Sequence, residues 1–372
     1  MTTIAIVGLG TMGLGIAQCY AAAGFEVLAT DAAAPARETA LTRLRDSLLP
    51  RVEAGKLAAA DLTTLLSRIR IVEGPAAMGT AALAIEAVAE RIEIKHQVFA
   101  ALEAALAPEA VLATNTSSLG VAQMAAPLAH PGRMVGLHFF NPAPVMRLVE
   151  LVRHPTTTAE AAALARQLTE ATGKTVIDAP DRPGFIVNRC ARPFYGEALA
   201  LMEQGRSAAE IDAAMLAAGY RLGPFSLIDL IGADINLAAT ESLSAAMGDH
   251  PRYHVFAALR AQVARGDLGR KSGRGFLFPD LPGAPPADAP CLVAQIEAAL
   301  INEAAWLLAE GGTTRDGIDM ALRLGLNLPR GPFELLAARS GSLQDDLAAL
   351  EAAAPPQLRG RYKPAPLLSD RG

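Results

Sequence analysis

The stretch "IAIVGLGTMGLGIAQ", residues 4–18, decides how the chain begins to fold. Four apolar residues run into Gly8-x-Gly10-x-x-Gly13 and then into a helix-forming segment, the order strand, tight turn, helix. The three glycines serve different ends. The first permits the turn, the second lets the backbone approach a pyrophosphate, and the third allows close packing of helix on strand. The first amides of the helix then face the phosphates. Gly8, Gly10, Thr11, Met12 and Gly13 are therefore the expected cofactor-contacting set. The next strand, "FEVLAT", ends at Asp31, about where an acidic residue accepts hydrogen bonds from an adenosine ribose. A carboxylate there repels a 2′-phosphate, so NAD is expected over NADP; the alternative is that Asp31 only caps the following helix.

Outward from this loop, short apolar runs alternate with longer helical patterns as far as residue 180: "ALAIEAV", "AVLATN", "MVGLHFF", "LVELV" and "KTVIDA". Such alternation predicts a mostly parallel, doubly wound α/β sheet of the Rossmann type over residues 1–180. The segment from Pro35 to Arg68 breaks the rhythm. It reads as a helical hairpin, a long helix, a break at Gly55 and a second helix capped by Asp61, with Arg43, Arg45, Arg51 and Lys56 on a basic edge.

Prolines and a glycine in "DAPDRPGF" (178–185) mark a boundary, after which strand signals almost vanish and an all-α region is expected. A second proline-rich stretch (278–290) separates two helical blocks, predicted as domains over 181–280 and 288–372. These blocks repeat each other. "EALALMEQG" (197–205) matches "EAAWLLAEG" (303–311), Ile211-Asp212 matches Ile318-Asp319, and "GPFSLIDL" (223–230) matches "GPFELLAA" (331–338). The register drifts by one residue between matches, which reads as a duplicated helical unit. Aligned in this way, Asn188 in the first copy falls opposite Ala294 in the second, so the second is expected to be a degenerate, packing copy.

Composition narrows the classes of function. The 372 residues are 51% hydrophobic and 19% charged with a net charge of -5, which gives no global attraction for nucleic acid or an anionic membrane. Three cysteines are too few and too scattered for a disulfide framework or a four-ligand metal site, so no metal and a reducing, cytoplasmic location are expected. No apolar stretch is expected to reach the roughly 20 residues needed to span a bilayer, and folding from Ile4 onward leaves no room for a cleaved leader.

Oxidation of an alcohol needs a base, donors for the carbonyl oxygen and a hydride acceptor. Of six histidines, His138 alone falls at the end of a predicted sheet strand, where open α/β sheets bind their ligands. Glu150, twelve residues later inside "RLVELV", needs a partner if buried, and His138 is the nearest by topology. The bland readings are a histidine satisfied by backbone and an edge-strand glutamate facing water. Ser117 and Ser118 in "LATNTSSLG" could donate to a substrate oxygen or cap the next helix, and Asn188 could be structural.

These pieces together resemble the 3-hydroxyacyl-CoA dehydrogenase family: "GLGTMGLGIAQ", Asp31, "IEAVAERIEIK" (85–95), "NTSSL" (115–119), "GLHFFNPAPVMRLVELV" (136–152), "RPGFIVNR" (182–189), "GYRLGPFSLIDLIG" (219–232) and "GRKSGRGF" (269–276). They follow the family's order over roughly the first 280 residues. The resemblance implies an NAD-binding domain joined to a helical domain, an acyl-CoA in the cleft between them, and reversible oxidation of an L-3-hydroxyacyl-CoA to the 3-oxoacyl-CoA. It makes His138 the general base, Glu150 its orienting carboxylate, and Ser117 and Asn188 the donors near the substrate's 3-oxygen. It also implies that Asn141 contacts the substrate or nicotinamide, that Glu90, Lys95 and Asn115 lie on the cofactor side, and that Lys271 reaches the cofactor from the helical domain. The hairpin corresponds to the family's arm over the CoA tail, with Arg51 and Lys56 as phosphate contacts or solvated surface charges, and alanines where the family often has lysines.

Two helical copies in one chain resemble the dehydrogenase part of multifunctional fatty-acid oxidation proteins, which implies a monomer with an internal pseudo-dimer, or a homodimer. The alternatives to this function are a dehydrogenase of a free hydroxy acid or sugar acid, and a non-catalytic NAD-binding protein.

Overall fold

In the computed structural model, which describes residues 2–369, one eight-stranded sheet organises the chain as far as Arg182, where the first of two units ends. Its strands are β1 (Thr3–Val7), β2 (Glu26–Thr30), β3 (Ile69–Ile71), β4 (Ala81–Glu86), β5 (Val111–Thr114), β6 (Met134–Phe139), β7 (Leu148–Arg153) and β8 (Thr175–Pro180). They lie in the order β3-β2-β1-β4-β5-β6-β7-β8. Pairing is parallel from β3 to β6, antiparallel between β6 and β7, and parallel again between β7 and β8. The expected doubly wound α/β fold is present. The order turns at β1 and β4, and ligands of such sheets bind at the carboxyl ends of the strands beside that turn.

Both faces of the sheet are covered, which explains the unbroken apolar runs: every residue of β6 is buried. Around it lie α1 (Thr11–Ala22), α2 (Ala34–Glu53), α3 (Ala59–Ser67), α4 (Ile92–Ala105), α5 (Val121–Ala125) and α6 (Ala159–Glu170). The hairpin of α2 and α3 lies where the sequence places it. Ala40, Leu44 and Leu48 are the buried residues of α2, one stripe at a four-residue spacing, and the rest of that helix faces outward. Asp61 is not the cap of α3. The cap position is Ala58, and Asp61 sits in the first turn, where its charge favours the helix dipole. Strand β3 escapes a reading of the sequence because three residues, Ile-Arg-Ile, are too short to show a period.

The second unit is helical: α7 (Val187–Glu203), α8 (Ala208–Ala217), α9 (Pro224–Ile231), α10 (Ala233–Ala246), α11 (Ala257–Ala264), α12 (Ala289–Ala309), α13 (Arg315–Leu326), α14 (Pro332–Ala338), α15 (Leu343–Ala353) and α16 (Pro366–Ser369). Its repeat is visible in hydrogen bonds. Asp212 on α8 accepts from the amides of Phe225 and Ser226 at the start of α9 (3.0 and 2.7 Å), and Asp319 on α13 accepts from Phe333 and Glu334 at the start of α14 (2.8 and 3.1 Å). A Cβ on Gly223 would lie 2.3 Å from Asp212 Cγ, and one on Gly331 would lie 2.3 Å from Asp319 Cβ, so both copies require glycine for the same close approach. Burial pushes both aspartates upward against the pull of the backbone donors. Helix α12 corrects one expectation: it has the length and composition to cross a bilayer. Yet most of it is buried, and it packs against α7, α8, α14 and α15 as the central helix of this unit.

Candidate active site

Strands β6 and β7 put His138 directly opposite Glu150 in the antiparallel register, so their side chains share one face of the sheet. His138 Nδ1 lies 2.7 Å from Glu150 Oε2, and both residues are buried. A carboxylate only accepts, so Nδ1 carries the hydrogen and the neutral ring has its lone pair on Nε2. The Phe140 ring, 4.4 Å away between centroids, packs against the imidazole. Gly136, two residues before His138 on the same strand, makes the close pairing with β7 possible: a Cβ there would lie 2.7 Å from Val152 Cβ.

After β5 the chain forms the 115–118 loop, held from two directions. Asn115 Oδ1 accepts from the Phe139 amide (2.9 Å), tying the loop to the residue after His138. Glu90 Oε1 accepts from the Ser117 amide, the Ser118 amide and the Ser118 hydroxyl at 3.1, 3.2 and 2.9 Å, and from the Thr116 hydroxyl at 2.5 Å. Burial pulls the Glu90 carboxyl upward, but the Lys95 ammonium and the Thr116 and Ser118 hydrogen bonds outweigh it and hold it below the ordinary glutamate range. Ser117 is exposed. Neither serine caps α5: the amides of Val121 and Ala122 donate instead to Asp181 at 2.8 and 2.7 Å.

Lys95, implied on the cofactor side, is turned inward. It is 1% exposed, with Nζ 2.7 Å from Glu86 Oε1 and 3.1 Å from Glu90 Oε2, because a buried ammonium needs carboxylate partners. Glu86, at the end of β4, is fully buried and also accepts from the Val88 amide and the Thr114 hydroxyl. The sequence reading missed it, although it carries the signal that singled out Asp31, an acidic residue closing an apolar strand.

The glycine loop fits a dinucleotide. Gly8 has a φ of +103°, and a Cβ on it would lie 2.5 Å from the Ala87 carbonyl oxygen. A Cβ on Gly13 would overlap the Gly8 carbonyl oxygen, whereas beside Gly10 nothing lies within 4 Å, leaving space for a ligand to approach the backbone. Helix α1 has no side-chain cap and no acidic residue in its first turn, so the amide end around Thr11 and Met12 is open to an anion. Asp31 accepts from the Leu9 and Ala33 amides at 2.8 and 2.9 Å, one to each oxygen, and each oxygen keeps a lone pair for ribose hydroxyls. Arg43, on α2, donates to the Leu9 carbonyl (2.9 Å) and joins the hairpin to this loop.

Asn141 is exposed after β6; Arg51 and Lys56 are exposed at the far end of the hairpin. In the second unit, Asn188 is half-buried in the first turn of α7, and Lys271 pairs with Asp234 at 2.5 Å. Among the described residues no group of histidine, cysteine and carboxylate side chains could hold a metal ion.

Residues 3–182 match the family model of the 3-hydroxyacyl-CoA dehydrogenase NAD-binding domain, and residues 184–278 and 292–371 each match the C-terminal domain of the same family. The chain belongs to the 3-hydroxyacyl-CoA dehydrogenase family. Its nucleotide loop is that of the family's NAD-binding domain, and the double match to the C-terminal domain agrees with the duplicated helical unit. Among relatives, a 3-hydroxyadipyl-CoA dehydrogenase of Escherichia coli K12 is 43% identical over 275 residues, which is 73% of this chain but 58% of that protein. The chain thus spans less than two thirds of that relative. A probable 3-hydroxybutyryl-CoA dehydrogenase of Bacillus subtilis is 39% identical, over 73% of this chain and 96% of its own length. The crystal structure of a 3-hydroxybutyryl-CoA dehydrogenase from E. coli K12 superposes with a TM-score of 0.89 at 33% identity, covering 100% of this chain and 98% of that one.

Proposed function

We propose that this family member catalyses the reversible NAD-dependent oxidation of an L-3-hydroxyacyl-CoA to the 3-oxoacyl-CoA. The observation that carries the reading is the His138–Glu150 pair, 2.7 Å apart and buried at the carboxyl end of β6. His138 Nε2 takes the hydroxyl proton, and Glu150 holds the ring in that tautomer and stabilises the positive charge that follows. NAD, when bound, would supply the hydride acceptor; Gly8, Gly10, Thr11, Met12, Gly13 and Asp31 would hold it, with Glu90 and Asn115 toward its ribose and nicotinamide side and Lys95 acting through Glu90. Ser117 and Asn188 are assigned as donors to the substrate's 3-oxygen, Asn141 as a substrate contact, and Arg51 and Lys56 as contacts to CoA phosphates. Relatives named for 3-hydroxyadipyl-CoA and 3-hydroxybutyryl-CoA support a CoA thioester and differ in the acyl group.

The test is NADH formation over a panel of 3-hydroxyacyl-CoA thioesters with free 3-hydroxybutyrate as control, repeated with His138→Gln. Turnover of thioesters is expected, and the variant should lose about 10²–10⁴-fold in kcat while still binding NADH. A response to the free acid alone, or near-normal turnover by the variant, would overturn the reading.

A further inference from the structure

Four arginines are buried among the described residues: Arg133, Arg189, Arg192 and Arg361. Three have carboxylate partners, Arg133 with Glu103, Arg189 with Glu303 and Glu310, and Arg361 with Glu197. Arg192 has none among the described residues. Its Nε donates to the Asn188 carbonyl (3.0 Å), and its Nη1 to the Asn236 carbonyl (3.3 Å) and the Thr240 hydroxyl (2.9 Å). Nη2 makes no hydrogen bond to a described residue. The guanidinium carbon lies 5.1 Å from the centre of the Tyr195 ring, which packs against the charge. A guanidinium cannot shed its proton to escape burial, so an uncompensated one is costly unless an anion meets it.

The surroundings repeat the signal. Arg192, Asn236, Thr240, Arg252 and His254 line one small cavity, and the Asn236 side-chain oxygen is buried without a partner. Glu303, which meets Arg252, is shared with Arg189 and the Tyr253 hydroxyl. Arg192 lies one helical turn, about 6 Å along the axis, from Asn188, which the proposed function assigns to the substrate's 3-oxygen.

We propose that Arg192 receives a carboxylate at the far end of the acyl chain, so that the substrate is the CoA thioester of a short 3-hydroxydicarboxylic acid. The inference rests on the proposed function and names its substrate class. The one-turn spacing suits a carboxylate only a few carbons beyond C3, and the planar guanidinium suits its two oxygens.

The experiment compares kcat/KM for 3-hydroxyadipyl-CoA and 3-hydroxyhexanoyl-CoA, which have equal carbon counts and differ in the terminal charge. The wild-type protein should favour the diacid thioester by about tenfold to a hundredfold, the range for a charge-assisted hydrogen bond. Arg192→Met should bring that ratio toward one, and Arg192→Lys should restore part of it. A wild-type ratio of one, with both thioesters oxidised, overturns this inference and leaves the proposed function standing. An unchanged ratio in Arg192→Met shows a structural arginine and also overturns it. Turnover of neither thioester overturns this inference, and the wider panel of thioesters then decides the proposed function separately.

Discussion

His138 and Glu150 would each be a liability alone in a sheet covered on both faces, and the antiparallel register makes each the other's partner. That pairing was legible as a need, because an acidic residue inside an apolar run demands a cation or donor. The network around Glu90 was not. Its members come from β4, α4 and the 115–118 loop, and no local period links Glu86 to Lys95. Its electrostatics have a pH consequence. The folded-state pKa of Glu90 is lowered, so the stability it lends the loop is complete above the ordinary glutamate value of about 4.3 and is lost as pH falls through the lower folded value. Protection of the Ser117 and Ser118 amides from hydrogen exchange, corrected for the intrinsic rate, should therefore fall below about pH 4.3. In Glu90→Gln it should be weak at all pH values and show no such step. A step that survives in Glu90→Gln would assign the effect to another group.

At the scale of elements, the sequence was read best where the period was long and worst where the partner was distant. The helical hairpin was found from its break at Gly55, while β3 escaped because three residues carry no pattern. Helix α5 is the clearer case. Its neighbouring serines looked like caps by sequence spacing, but Gly120 occupies the cap position and Asp181 supplies both oxygens from sixty residues away. Such a cap is decided by the sheet, which brings the end of β8 to the start of α5, and not by local propensity. Asp181→Ala should cost about 0.5–2 kcal/mol, the range for a lost helix cap, read from the urea midpoint. Ser118→Ala should cost no comparable cap energy; the reverse ranking would restore the local reading.

Within the second unit the two copies meet through reciprocal contacts. Arg252 and Tyr253 of the first copy reach Glu303 of the second (2.9 and 2.6 Å), and Arg361 and Tyr362 of the second reach Glu197 of the first (2.6 and 2.9 Å). Arg189 on α7 meets Glu303, and Gln295 on α12, at the matching position, meets Glu197. This exchange of like for like is the pattern of a two-fold dimer interface inside one chain. The repeated Arg-Tyr pair was present in the sequence, but it lies outside the helix matches, so the duplication was legible and the contact that closes it was not. The copies differ in one respect that sets a ranking. Arg189 keeps Glu303 when Glu310 is removed, whereas Arg361 has no second carboxylate among the described residues. Glu197→Ala should accordingly cost about 3–5 kcal/mol, as for one partner removed from a buried pair, and Glu310→Ala distinctly less. Urea unfolding of the two variants under identical conditions measures both. Equal losses, or a larger one for Glu310→Ala, would show that Glu303 does not hold Arg189 in solution once Glu310 is gone.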